Sequence, residues 1–490
     1  MLVEALLESA RRFPDRPAVK DASRQFTYSQ LVTFTKTVRR LVLAHTACER
    51  VGVMLPSTAG TPGVLFGVLW SDKIVVPLNF LLQPRELAAI VQDAGLDLVI
   101  STRHFEKLVE ALPVRTLFVE DLHLKRRYLW EKFRRTPEPP ARAPDALATI
   151  IYTSGTTAQP KGVCLTQANL ATNARACIEH MRLHSDHHLL GILPPFHVFG
   201  LTVLNVLPFF LGGTVTYIPR FSPQATYQAI LDDNISVMIG VASMYGAVAR
   251  LKSLEAASFK NVHIVVSGGE PLPRAVYDEF LRRTGIRIVE GYGMTETAPV
   301  ISCDLPWAHH VGTIGLPIPG VSVELRDANG RPVAADQEGE ICVRGPNVMK
   351  GYYNRPEETA AVLDRDGWLR TGDLGRVSSD GYISITGRAK DIIIVAGENV
   401  YPREVESVLE SHPAVAESAV IGQHDGSRGE VVVAYVSLRE GVGATGEELR
   451  AFCRKHLGGF KVPRRIYIRP ELPHGPTGKV LKRALREEQN

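Results

Sequence analysis

The sequence predicts an α/β protein: a large N-terminal domain of layered α/β subdomains plus a β subdomain, then a small α+β C-terminal domain. Three observations carry that prediction. Short apolar runs alternate with helix-period segments through the first three-quarters of the chain, the pattern of largely parallel sheets covered by helices. From about Gly320 the texture changes to short alternating strands separated by turns such as Asn329-Gly330 and Asp380-Gly381. The 490 residues also exceed what one hydrophobic core usually supports, so two or three domains are expected.

Each element follows from its local pattern. Residues 1–13 put Leu2, Leu6, Ala10 and Phe13 on one helical face and carry acidic residues early, which makes an amphipathic helix rather than a signal peptide. Residues 29–44 form a second helix, with Leu31, Phe34, Val38 and Leu41 on one face. Residues 96–100 read as a strand. The basic stretch from Lys125 to Arg135 reads as a solvated surface helix, with peripheral contact to acidic phospholipid as the alternative. Pro137 to Pro144 is a proline-rich surface connection into the apolar strand 146–152. The longest apolar region, 201–213, contains Asn205 and Pro208 and falls short of the roughly 20 residues that span a bilayer. It is expected to be a buried helix or a strand pair. Strands follow at 214–218, 237–241 and 262–266. Those of the β subdomain lie at 322–326, 339–343 and 382–386. The last hundred residues give a helix opening near Pro402, where proline suits the first turn, a strand at 431–438 and an amphipathic helix at 447–457.

Composition narrows the function classes. Hydrophobic content of 45% and charged content of 22% are ordinary for a globular protein, and a net charge of +4 with no basic stripe excludes nucleic acid as an expected partner. The six cysteines form no Cys-x-x-Cys pair and no Cys/His cluster, which argues against structural zinc and fits a reducing, cytoplasmic setting. No repeat and no appended carrier domain is expected.

The most informative stretch runs from Thr153 through Ser154, Gly155, Thr156, Thr157, Ala158, Gln159 and Pro160 to Lys161 and Gly162. A strand that opens into glycine and hydroxyl residues presents N–H and O–H donors suited to phosphate oxygens, and Lys161 adds positive charge. The P-loop pattern fails, because Pro160 stands at its second glycine and Gly162 at its Ser/Thr. Further motifs follow in order: Pro-Pro-Phe-His-Val-Phe-Gly at 194–200, Gly-Tyr-Gly-Met-Thr-Glu-Thr at 291–297 and Gly-Trp-Leu-Arg-Thr-Gly-Asp at 367–373. Gly-Arg-Ala-Lys-Asp at 387–391, Gly-Glu-Asn-Val-Tyr-Pro at 397–402 and Pro-Thr-Gly-Lys at 476–479 complete the set. From about Phe26 to Lys482 the chain resembles the adenylate-forming (AMP-binding) enzyme superfamily, most of all its fatty acyl-CoA synthetases.

The resemblance implies an AMP-binding domain over 1–388 and a mobile lid domain over 389–490, with the hinge at Lys390. It implies ATP, Mg2+ and coenzyme A, and a reaction in two steps: a carboxylate attacks the α-phosphate, then a thiol displaces AMP. By resemblance Thr153 to Lys161 hold the β- and γ-phosphates. Ala158 departs from the usual glycine there, at a cost of about 1 kcal/mol if that position needs φ > 0. Glu296 is the implied magnesium ligand and Thr295 the α-phosphate contact. Asp373 takes the ribose hydroxyls, and Arg388 the ribose or a phosphate. The segment Gly268, Gly269, Glu270 and Pro271, together with Gly291, Tyr292 and Gly293, frames the adenine, with Tyr292 able to stack on it. Asp373 and Arg388 as a purely structural ion pair is the plainer alternative. Lys479 is the implied catalytic residue of the first step, and Gly397 the lining of a thiol tunnel reached after rotation about Lys390; both lysines have an ordinary surface role as the alternative.

His197 resembles a gate at the carboxylate end of the acyl pocket, with a satisfied core histidine as its alternative. It stands where peptide-synthetase adenylation domains carry the aspartate that anchors an amino group, which argues against amino acids. Phe196, Val198, Phe199, Met244, Tyr245 and Val300 are apolar or aromatic and favour a medium- or long-chain fatty acid. Aryl acids, and a carrier protein in place of CoA as acceptor, are the remaining readings. No extra segment of the kind found in ligases that stop at the adenylate precedes Gly367, so CoA transfer is favoured.

Overall fold

The computed structural model describes residues 1–122, 124–153, 160–395, 398–425, 429–474 and 480–488. Among them the strands form four sheets. In the largest, Val289–Gly293, Ile264–Gly268, Val237–Gly240, His188–Gly191, Thr214–Tyr217 and Pro17–Lys20 run parallel in that spatial order, with antiparallel strands at both edges. A seven-stranded sheet carries Leu98–Ser101, Arg50–Met54, Ile74–Pro77 and Leu147–Thr153 in parallel, then turns back antiparallel through Lys161–Thr166 and Gly351–Tyr352.

The two sheets share one core with the helices Leu2–Arg12, Tyr28–His45, Thr61–Trp70 and Gln167–His180. Thr61–Trp70 is buried all round. It approaches Tyr28–His45 so closely that a Cβ on Gly63 would lie 2.3 Å from Phe34 Cδ1. Tyr28–His45 starts where Thr27 and Gln30 cap each other, Thr27 Oγ1 accepting from Gln30 N and Gln30 Oε1 from Thr27 N. The N-terminal helix buries Leu2 and Leu6 as its pattern requires.

The apolar region 201–213 resolves as helix, not as a strand pair. Val198–Asn205 and Leu207–Leu211 are separated by a break at Val206, with Pro208 in the first turn of the second and Gly212 (φ 77°) closing it. Buried Asn205 donates from Nδ2 to Gly200 O at 2.8 Å, so its polar group is satisfied inside the helix pair. Among the described residues no helix is long and apolar enough to cross a membrane.

The β subdomain is a four-stranded antiparallel sheet, Ser322–Arg326, Gly339–Arg344, Leu369–Val377 and Ile383–Arg388. It ends at Arg388, and a second small sheet begins at Ile393–Val395. That sheet pairs Ile393–Val395 with Glu398–Val400 and Gly429–Leu438, continues to Val415–Asp425, and adds Arg465–Arg469 in parallel. Helices Pro402–Glu410 and Gly446–His456 bury Val405, Leu409, Leu449 and Cys453 against it. Five of the six cysteines are buried, and only Cys48 is partly exposed. Burial pushes the Cys177 thiol up to about 12 and those of Cys164, Cys342 and Cys453 up to about 11.

Candidate active site

Three of the sheets contribute to one polar cluster. Strand Val289–Gly293 of the large sheet places Tyr292 so that its hydroxyl donates to Asp373 Oδ2 at 2.7 Å. Asp373 lies on Leu369–Val377, directly opposite Arg388 in the antiparallel register, and Arg388 Nε reaches Asp373 Oδ1 at 2.8 Å. Burial and then the Asp373 charge raise the Tyr292 hydroxyl well above its usual range, so it stays a donor. Each Asp373 oxygen keeps a second acceptor position, which suits the vicinal hydroxyls of a ribose. The ion pair and a ribose contact are therefore compatible.

Just beyond, the short turn Thr295–Thr297 buries Thr295 and turns Glu296 towards the seven-stranded sheet. Tyr352 donates its hydroxyl to Glu296 Oε1 at 2.8 Å, and the Glu296 carbonyl accepts from Met349 N at 2.8 Å. Burial raises the Glu296 carboxyl, while the Tyr352 hydroxyl, Lys161 and Arg388 act in the opposite direction. A half-buried carboxylate with one hydroxyl donor fits a hard cation. No group of three or more His, Cys, Asp or Glu converges among the described residues, so such a cation would draw its other oxygens from phosphate and water. Lys161 opens its strand opposite Thr153 and lies 5.4 Å from the Tyr352 ring centroid. Its Nζ is ion-paired with Glu358, on helix Pro356–Val362.

Gly268 ends the central strand Ile264–Gly268. A Cβ there would meet Phe199 Cζ at 3.0 Å and Gly291 O at 3.2 Å, and Gly269 takes φ 83°, a left-handed conformation. Glu270 Oε1 accepts from Ser243 N at 2.7 Å, so this carboxylate caps a neighbouring turn. Pro271 follows it. At Gly293 a Cβ would lie 2.0 Å from Pro299 O, so the strand packs against backbone there.

Beneath this edge an apolar cavity runs between the large sheet and three helices. With the solvent-open space at its mouth included it measures about 770 Å³. His197 lines it, and its Nδ1 accepts from Phe199 N at 3.2 Å as helix Val198–Asn205 begins. Val198, Phe199 and Val300 line it as expected, but Phe196, Met244 and Tyr245 do not. Phe196 packs edge-on against Phe80, and Tyr245 is buried on a separate core with its hydroxyl on Val266 O at 2.7 Å. Met244 and Tyr245 lie on helix Ala242–Ala249, where Met244 packs between the two cores and Tyr245 points into the second.

Residues with no motif around them form the far wall: Val237 and Ile264 at the starts of their strands, and Cys177, His180, Met181 and Leu183 at the end of Gln167–His180 and just after it. The only sequence signal for them is the helical spacing of 177, 180 and 181. His180 Nε2 lies 2.7 Å from Cys303 O. A carbonyl only accepts, so Nε2 donates, and in the neutral ring Nδ1 is the acceptor.

Ser154, Gly155, Thr156, Thr157, Ala158, Gly397 and Lys479 lie outside the described residues, as does the Lys390 side chain. The structure brings together Lys161, Glu296, Tyr292, Asp373 and Arg388, and adds Tyr352 and Glu358, which sequence reasoning missed.

The family model described as "AMP-binding enzyme" matches residues 6–353, and that of the AMP-binding enzyme C-terminal domain matches residues 404–479. A long-chain-fatty-acid–CoA ligase of Bacillus subtilis (strain 168) is 34% identical over 531 aligned positions, covering 100% of this chain and 94% of the relative. A feruloyl-CoA synthase of Amycolatopsis sp is 36% identical over 484 positions, covering 97% and 96%. Among solved structures, o-succinylbenzoate coenzyme A synthetase from Bacillus subtilis, in complex with ATP and magnesium ion, superimposes with a TM-score of 0.87 at 29% identity and covers 99% and 98% of the two chains.

Proposed function

The chain belongs to the AMP-binding enzyme family as an AMP-forming acyl-CoA synthetase, and from this we propose that the acid it activates is a medium- or long-chain fatty acid, passed to CoA. The observation that carries the proposal is the apolar cavity running from Gly268 to Ile264. Those four residue steps measure about 13 Å at ~3.3 Å per strand residue. An extended chain advances roughly 3.3–3.6 Å per three bonds, so the wall matches about eleven to twelve bonds, the medium-chain end of the range.

In this proposal the carboxylate end sits by His197 and Gly268. Thr153, Ser154, Gly155, Thr156, Thr157 and Lys161 hold the β- and γ-phosphates of ATP, and Thr295 meets the α-phosphate. Asp373 accepts from the ribose while Tyr292 and Arg388 fix its orientation. Glu296 would hold Mg2+, which when bound neutralises phosphate charge and so lets an anion approach an anion. Lys479 carries positive charge to the reacting oxygens. Residues 1–388 and 389–490 act as separate domains about Lys390, with Gly397 lining the path of the CoA thiol.

A second reading, an aryl acid, is favoured by His180. An acceptor nitrogen on an apolar wall suits a phenolic hydroxyl, and the 531-position fatty-acid-ligase alignment exceeds this chain by 41 positions (531 − 490), so that relative carries insertions. The test is AMP release across short- to long-chain fatty acids and aryl acids, each with and without CoA, for the native enzyme and for His180→Leu. CoA-dependent thioester with one fatty acid class, kept or improved in His180→Leu, supports the proposal. Hydroxyaryl turnover that falls about tenfold or more in His180→Leu selects the second reading. Adenylate without CoA thioester points to a carrier-protein acceptor.

A further inference from the structure

Helix Leu124–Lys132 sets Tyr128 partly buried against the main core yet leaves Leu129 and Trp130 exposed. Its inward side carries Glu131, buried and ion-paired with Arg40 Nε at 2.7 Å. Lys36 Nζ, from the same neighbouring helix Tyr28–His45, donates to the carbonyls of Glu131 at 3.1 Å and Arg134 at 2.8 Å. The outward side carries three further large apolar residues: Leu129 is 59% exposed, Trp130 57% and Phe133 85%. Leu43, one turn beyond Arg40, is 48% exposed. A soluble helix ordinarily turns such residues to the core, and large exposed apolar groups side by side mark a contact surface.

The charge around this patch names the partner. Residues 124–135 hold six basic residues and one acid, and that acid is the buried Glu131 already neutralised by Arg40. Arg126, Arg127, Lys132, Arg134 and Arg135 are all exposed. Guanidinium groups of Arg134 and Arg40 lie 4.0 Å and 4.7 Å from the Trp130 ring centroid, so basic groups frame the aromatic face directly. Trp, Phe and Leu embedded among Arg and Lys is the composition that seats at the headgroup–acyl boundary of a negatively charged bilayer. A second copy of this chain would bring the same positive charges together and is disfavoured on that ground.

We infer that the Leu124–Lys132 helix and Phe133 form a peripheral docking surface for anionic phospholipid, with Leu129, Trp130 and Phe133 entering the interface and the surrounding arginines meeting phosphate. The inference is independent of which acid the enzyme activates. The test is co-sedimentation of the full chain with vesicles of phosphatidylcholine alone and of phosphatidylcholine with phosphatidylglycerol, at low and high salt. We expect binding to the anionic vesicles only, weakened by salt. Arg126→Glu with Arg127→Glu should weaken it about tenfold or more, and Leu129→Ser, Trp130→Ser and Phe133→Ser combined should abolish it. Both variants should keep the native melting temperature and turnover of a water-soluble acid. No sedimentation, equal sedimentation with neutral vesicles, or unchanged binding by both variants would overturn the inference. A concentration-dependent dimer that the serine variant dissolves would overturn it in favour of self-association.

Discussion

Lys161 is held by Glu358 at the place from which it would reach phosphate, so nucleotide binding has to compete with an ion pair. Partly exposed pairs of this kind are worth about 0–1 kcal/mol. Glu358→Gln is therefore expected to lower the KM for ATP by up to about fivefold with little change in kcat. An unaltered KM in steady-state kinetics would show that the pair does not compete. Lys161, Glu296, Asp373 and Arg388 were singled out in the sequence because each sits in a motif of the family that the chain resembles. Glu358 and Tyr352 were not. They reach Lys161 and Glu296 only because Gly351–Tyr352 pairs with Lys161–Thr166, a register between distant segments that no local pattern encodes. Helical geometry likewise explains why Tyr245, aromatic and nearby in sequence, faces another core.

Helix Pro402–Glu410 ends on a carboxyl wedged against strand Val415–Asp425. Glu410 Oε1 accepts from Ser418 Oγ at 3.1 Å and Ser418 N at 3.3 Å, while burial, and then the charge of Glu406, push its pKa from 4.5 up to about 7. The folded state thus keeps a proton that the unfolded chain has released between about pH 4.5 and 7. Stability from this group is full below that window, falls as pH rises through it and is flat above it. Glu410→Gln should remove the slope and raise stability at pH 8 by on the order of 1–3 kcal/mol, read from melting curves of the two proteins at pH 5 and pH 8. A constant offset at both pH values would refute the assignment. Element type was well marked where a tight turn announced it, as at Asn329-Gly330. Residues 201–213 were ambiguous because an apolar run has no period, and the break at Val206 that makes two short helices is set by tertiary packing.

The four-stranded sheet ends at Arg388 and the next begins at Ile393, so a rotation about Lys390 would turn one compact unit against the rest. If that rotation separates the two half-reactions, Lys479→Ala should lose adenylate formation yet still convert a supplied acyl-adenylate to thioester, and Gly397→Leu should do the reverse. Equal loss of both half-reactions in either variant, measured separately, would refute the division of labour. The β subdomain was readable from the change of texture near Gly320, and the boundary at Lys390 came only from the resemblance; the cavity was not readable, since its walls come from strands and helices drawn from the whole span between Cys177 and Ile318. The distribution of sulfur has a practical consequence for following such a rotation. With the other five thiols enclosed and held protonated, Cys48 is the one sulfur a maleimide reaches readily, so the native chain already offers a single attachment point on its larger unit. One added surface cysteine on the smaller unit would complete a dye pair and let the swing between half-reactions be timed in single molecules.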